Sequence, residues 1–176
     1  MTNFLKTACA NPPRSAAAIL AVIGALTICG FFFFQYGLGY PPCPLCLEQR
    51  MAYYVSVPLA CLLWLGAGHG AQRKVLVAGF VVIALVMLWN TGLSAYHAGV
   101  EWKFWRGPTD CSGPINGFGS AANLLKSLGD IKIVRCDVAA WRFLGLSLAG
   151  YDVLVSLALA AVAACGAKAA LARRES

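Results

Sequence analysis

SAAAILAVIGALTICGFFFFQYGLGYPPCPLCL, residues 15–47, runs for 33 positions without an Asp, Glu, Lys or Arg. A helix needs about 20 residues to cross the hydrocarbon of a bilayer, so this stretch holds one full crossing, a corner and the start of a second helix. Two further charge-free runs follow, 22 residues at 51–72 and 26 at 75–100, then a shorter one of 15 at 153–167. The last is flanked by Asp152, which suits the first turn of a helix, and by Lys168, which can snorkel toward headgroups. Four helices are therefore expected, at about 15–36, 45–65, 74–95 and 149–170. Runs this long lack the alternation of barrel strands, and only helices or closed barrels satisfy backbone polar groups in lipid. The expected fold is an all-α membrane protein: one integral domain over residues 1–176, a four-transmembrane-helix bundle with a long loop between helices 3 and 4.

Composition points the same way. Of 176 residues 60% are apolar and only 12% charged, against about 45–50% and 25% in ordinary globular domains. That leaves too little polar surface for a soluble monomer and too much apolar content for disorder. The net charge is +7, but the 14 Lys and Arg are scattered and form no basic stripe, so a nucleic-acid partner is not expected. The first run continues through Phe31, Phe32, Phe33 and Phe34, beyond the apolar core of a cleavable signal, and reads as a retained anchor. Cys29 follows the bulky Ile28, which argues against lipoprotein processing.

The connections are unequal. Gly37-Leu38-Gly39-Tyr40-Pro41-Pro42 makes a tight corner between helices 1 and 2, and a short stretch at 66–74 joins helices 2 and 3. Residues 96–148 form the long loop, and a segment of that length with no span of its own is usually functional. Within it, Leu124, Leu125 and Leu128 fall at helical spacing and suggest a short interfacial helix over 120–128. With both termini on one side, the tails and the 66–74 turn carry seven Lys and Arg against six in the long loop. The positive-inside rule then leans toward cytoplasmic termini and an outward-facing loop. Trp102, Trp105 and Trp141 suit an interfacial aromatic belt.

Eight cysteines are present. Cys9 lies in the N-terminal tail, Cys29 and Cys61 within spans, and Cys165 near the inner end of the last helix, where they read as small apolar residues. Cys43, Cys46, Cys111 and Cys136 gather at the face that carries the long loop. Four thiols at one membrane face fit an oxidising compartment and again place that loop outside the cytoplasm. In Cys43-Pro44-Leu45-Cys46, proline at a first helical position makes Cys43 the cap of helix 2 and puts Cys46 in its first turn. Free N–H groups and the helix dipole stabilise a thiolate there, and Arg50 follows one turn after Cys46 on the same face. An arginine at the rim of a span marks function by default, although it can also merely anchor a helix end. His97 is expected where helix 3 ends, at the same face. The bland alternative for the four thiols is a structural zinc site; the wide spacing of Cys111 and Cys136 disfavours it, and no metal is expected.

Taken in order, these residues resemble the bacterial disulfide bond formation protein B (DsbB) family. The resemblance rests on four spans, Pro42-Cys43-Pro44-Leu45-Cys46 with Arg50 behind it, and Tyr96-His97 after helix 3. It continues with the separated Cys111 and Cys136, then Trp141-Arg142-Phe143-Leu144-Gly145-Leu146 before helix 4. It covers nearly the whole chain. Gln49 and Glu48 depart from it, standing where family members carry a glutamate and an aromatic residue.

The resemblance implies a multi-pass protein-disulfide:quinone oxidoreductase of the bacterial inner membrane. Its partners would be a periplasmic DsbA-like thiol oxidant, the lipid bilayer and the membrane quinone pool, ubiquinone or menaquinone. Carried over by position, Cys111 and Cys136 are the loop pair that takes electrons from the partner, with Cys111 forming the mixed disulfide. Cys43 and Cys46 are the pair that passes them on, Cys46 facing the quinone with Arg50 and His97 lining its site. Vitamin K epoxide reductase-like enzymes also combine a four-helix bundle with Cys-x-x-Cys and quinone, but their Cys-x-x-Cys lies late in the chain. A zinc-stabilised scaffold without catalytic activity is the other alternative.

Overall fold

Prolines open the first two helices. Pro12 and Pro44 each sit in the first turn, where the missing N–H costs nothing and the fixed φ favours helix. The computed structural model describes residues 11–108 and 135–172. Cys9, Cys111 and the helical segment expected over 120–128 lie outside the described residues.

Helix α1 spans Pro12–Phe32 and continues into a π-helical turn, Phe33–Gly37; α2 spans Pro44–Gly68, α3 Arg73–Glu101 and α4 Leu148–Ala172. All four are long and apolar enough to cross a membrane, which is the expected four-helix architecture. Strands β1, Arg142–Phe143, and β2, Leu146–Ser147, pair antiparallel immediately before α4. Leu144 and Gly145, both at positive φ, turn the chain between them, as a two-residue hairpin requires.

The helix ends explain where the expected boundaries moved. α2 closes with Ala71 N–H donating to Gly66 C=O at 2.8 Å around Gly70 at φ +76°. α3 closes in the same way, with Phe104 N–H to Gly99 C=O at 2.9 Å and Lys103 N–H to Val100 C=O at 3.1 Å. Here Lys103, at φ +64°, takes the left-handed position. α3 therefore runs through Glu101, well past residue 95. His97 does not end the helix but lies one turn inside it, and Glu101 belongs to the bundle instead of the loop.

Small residues let the helices approach. Ala17, Ala60, Ala163 and Ala170 are fully buried, and a Cβ on Gly166 would lie 2.6 Å from Cε1 of buried Phe80. Without a hydrophobic force between helices in lipid, such close packing is what associates them. Large side chains such as Leu26, Leu62, Leu85 and Trp89 face outward, as a lipid-facing surface should. Cys29, Cys61 and Cys165 are on this outer surface too.

One polar layer crosses the interior. Asp152 accepts from Tyr53 Oη, from Ser94 Oγ and, at 3.1 Å, from Asn90 Nδ2. Ser156 Oγ joins them, 2.8 Å from Asn90 Nδ2 and 3.0 Å from Tyr53 Oη. Asp152 is thus turned into the bundle, bridging α2, α3 and α4, and does not sit at the rim as a flanking charge.

Candidate functional site

The site grows from the start of α2. Pro41 and Pro42 carry the chain in, and Cys43 is extended (φ −79°, ψ 167°) as the N-cap residue. Its sulfur accepts the Cys46 backbone N–H at 3.3 Å, one of the donors that every helix start leaves unpaired. The helix start therefore holds Cys43 Sγ directly, a role the sequence had suggested for the thiolate of Cys46. The two sulfurs are 2.7 Å apart. The proton shared with Cys46 Sγ, and then burial, push the Cys43 thiol up.

α3 supplies the histidine. His97 is 2% exposed, with Nε2 3.6 Å from Cys43 Sγ and 3.9 Å from Glu101 Oε1. Its Nδ1 lies 3.3 Å from Gln49 Nε2 on α2. Arg50 is turned inward and 7% exposed. Its Nη1 donates to Gln35 Oε1 at 2.6 Å, and its Cζ stands 5.4 Å from the Phe31 ring centre and 5.9 Å from that of Phe32. The π-helical turn after α1 is what brings Gln35 to the arginine.

Cys136 comes from the other side of the long loop. It is 1% exposed and packs in one cluster with Cys43 and Leu45, with Cys46 and Leu93 against it. The next residue, Asp137, bonds Arg135 Nε at 2.8 Å, Arg135 Nη2 at 2.7 Å and Lys103 Nζ at 2.7 Å. Arg135 and then Lys103 hold the Asp137 carboxyl well below the usual carboxylate range. The Lys103 pair fastens the Cys136 segment to the chain just beyond α3, while Arg135 pairs with Asp137 within that segment. They are exposed to solvent, so the fastening is weak and salt-sensitive.

Cys43, Cys46, Gln49, Arg50, His97 and Glu101 help line a cavity of about 70 Å³. One side is apolar, with Phe31, Phe34 and Leu148; the other presents Cys46, Arg50 and His97. Two buried polar atoms there have no hydrogen-bond partner among the described residues, Arg50 Nε and Glu101 Oε2. A flat apolar ring bearing carbonyl oxygens fits this lining, because the aromatic walls would cover its faces and Arg50 Nε would meet an oxygen. Cys43, Cys46 and His97 are also donor types that a metal ion accepts, with ligating atoms within 4.8 Å of one another.

Five of the six residues singled out from the sequence, Cys43, Cys46, Arg50, His97 and Cys136, come together here. The sixth, Cys111, is outside the described residues. Sequence reasoning missed Gln35, Gln49 as a partner of His97, and Glu101. A lone glutamine beside four phenylalanines in an apolar run was the one signal available for Gln35.

The family model for "DsbB: Disulfide bond formation protein DsbB" matches residues 13–166. Disulfide bond formation protein B of Xanthomonas euvesicatoria pv. vesicatoria (strain 85-10) is 32% identical over 167 residues, 85% of this chain and 90% of that relative. The protein of the same name from Albidiferax ferrireducens is 32% identical over 168 residues, 85% of this chain and 88% of that relative. That from Aromatoleum aromaticum is 32% identical over 152 residues, covering 80% and 86%.

Proposed function

This chain belongs to the disulfide bond formation protein B family, and from that membership we propose that it re-oxidises a periplasmic DsbA-like dithiol protein and delivers the electrons to membrane quinone. The observation that carries this reading is the burial of the loop thiol Cys136 against Cys43, while Cys46 lines the cavity with Arg50 and His97.

The relay is a series of thiol–disulfide exchanges. A partner thiolate attacks Cys111 in the Cys111–Cys136 disulfide and releases Cys136. The partner's second thiol then resolves the mixed disulfide, leaving the partner oxidised and both loop sulfurs reduced. Cys136, already packed against Cys43, attacks the Cys43–Cys46 bond at Cys43 and releases Cys46. Cys111 next attacks Cys136 and re-forms the loop disulfide, so that Cys43 and Cys46 are both reduced. Cys43 and Cys46 then close their bond and give up two electrons and two protons, for which a quinone held in the cavity would be the acceptor.

The other side chains have distinct tasks in this scheme. Arg50 would hold a carbonyl oxygen of the quinone, and Phe31 and Phe34 would exclude water. His97 Nε2 stands 3.6 Å from Cys43 Sγ and would take the Cys43 proton once the Gln49 amide turns its oxygen to Nδ1–H. The weak, exposed Lys103–Asp137 pair leaves the Cys136 segment free to part from Cys43. The location is the bacterial inner membrane, with both termini cytoplasmic and the 102–147 connection periplasmic.

A Cys111→Ser variant tests the entry step. It is expected to lose oxidation of the reduced partner while its Cys43–Cys46 pair still reduces quinone when fed by a small dithiol. Full partner oxidation by that variant contradicts the relay.

A further inference from the structure

Cys43 Sγ, Cys46 Sγ and a ring nitrogen of His97 lie within 4.8 Å of one another, two from the first turn of α2 and one from the last turns of α3. Thiolate and imidazole are the donors that soft d10 cations such as Zn²⁺ select. A tetrahedral zinc centre separates sulfur from nitrogen by about 3.6 Å and sulfur from sulfur by about 3.8 Å. Cys43 Sγ already stands 3.6 Å from His97 Nε2. The sulfurs, 2.7 Å apart, must separate by roughly 1 Å, so the Cys46 side chain has to turn on binding.

The surroundings suit a cation as well. Metal-bound histidines have their second nitrogen held by a neighbouring polar group, and His97 Nδ1 is held by the Gln49 amide at 3.3 Å. Turned to present its oxygen, that amide takes Nδ1–H and leaves Nε2 bare. Two thiolates neutralise a divalent ion, so Arg50 does not oppose it, and Glu101 Oε1 stands 3.9 Å from Nε2.

We propose that the dithiol form of this site binds one Zn²⁺-class cation through Cys43, Cys46 and His97, with the fourth position open to the cavity. The proposal rests on the relay only in taking Cys43–Cys46 to alternate between dithiol and disulfide. Binding forms two metal–sulfur bonds and one metal–nitrogen bond and releases the two thiol protons; no electrons move. The disulfide form has no thiolate to offer, so occupancy follows reduction, and a metal-bound dithiol cannot close its disulfide. A soft cation therefore stalls quinol formation at this step.

The test uses the full chain in detergent carrying Cys111→Ser and Cys136→Ser, with Co²⁺ as the spectroscopic probe and no partner or quinone present. After anaerobic reduction, one equivalent of Co²⁺ is expected to bind with a thiolate-to-cobalt charge-transfer band, and Zn²⁺ should displace it. The same preparation re-oxidised with diamide should bind none. His97→Ala should weaken binding at least tenfold, whereas replacing Cys29, Cys61 and Cys165 by Ala should not change it. Equal binding by reduced and oxidised protein, unchanged affinity in His97→Ala, or no charge-transfer band overturns the proposal. A relay that makes no quinol in metal-free buffer would be a separate result, and the cobalt titration would still stand.

Discussion

Arg50 had two readings from sequence, a phosphate anchor at the helix rim or a member of the site, and its side-chain direction supports the second, which is the role proposed for it. An anchor points out to headgroups; this guanidinium points in, paired with Gln35 and leaving Nε free in the cavity. A hydrogen bond from a charged donor contributes about 1.5–3 kcal/mol, which is about ten- to a hundredfold in affinity. Arg50→His should therefore raise the KM for quinone by at least tenfold with partner oxidation still detectable. Steady-state titration with quinone checks this, and an unchanged KM removes Arg50 from the binding role. The cysteines and Arg50 were legible in the sequence because their chemistry is costly at a membrane and has few other uses. Gln35 and Gln49 were not, since an amide declares no function until the fold shows what it holds.

At the scale of elements, the spans could be read because lipid excludes charge so strongly that uncharged runs map onto helices. The same rule misplaced Glu101 and Asp152. Glu101 was left in the long loop and Asp152 taken as a charge flanking the last apolar run, whereas both carboxylates are buried, one beside His97 and one in the polar layer. Asp152 accepts from three donors on two other helices. Asp152→Leu would strand them, at a cost of about 1–3 kcal/mol, while Asp152→Asn should cost less. Unfolding in a detergent titration measures both, and equal midpoints for Leu and wild type would show that the layer does not hold the bundle. Glycines give a paired prediction. Gly166→Ala drives a methyl against Phe80 and should destabilise by about 1–3 kcal/mol. Gly92, with nothing within 4 Å of its Cβ position, should instead gain up to about 1 kcal/mol as Ala from helix propensity. The same titration reads both, and a stabilised Gly166→Ala would contradict the close approach of α3 and α4.

For the molecule as a whole, the arrangement joins two environments. One end of the bundle gathers Cys43, Cys46 and Cys136, which the proposed relay would supply from a water-soluble partner, and the cavity beside them lies among aromatic side chains of the membrane-spanning helices. The buried contact between Cys136 and Cys43 links the two. The sequence spacing could not reveal it, because 92 positions separate those residues and only the return of the chain before α4 brings them together. The measurement that bears most directly on this account is the yield of quinol when excess quinone and a limiting amount of reduced DsbA-like partner are mixed with the purified protein without oxygen. One quinol per partner disulfide formed is the predicted result. Partner oxidation without quinol, or quinol formation that persists when Cys43 and Cys46 are both replaced by Ser, would contradict it.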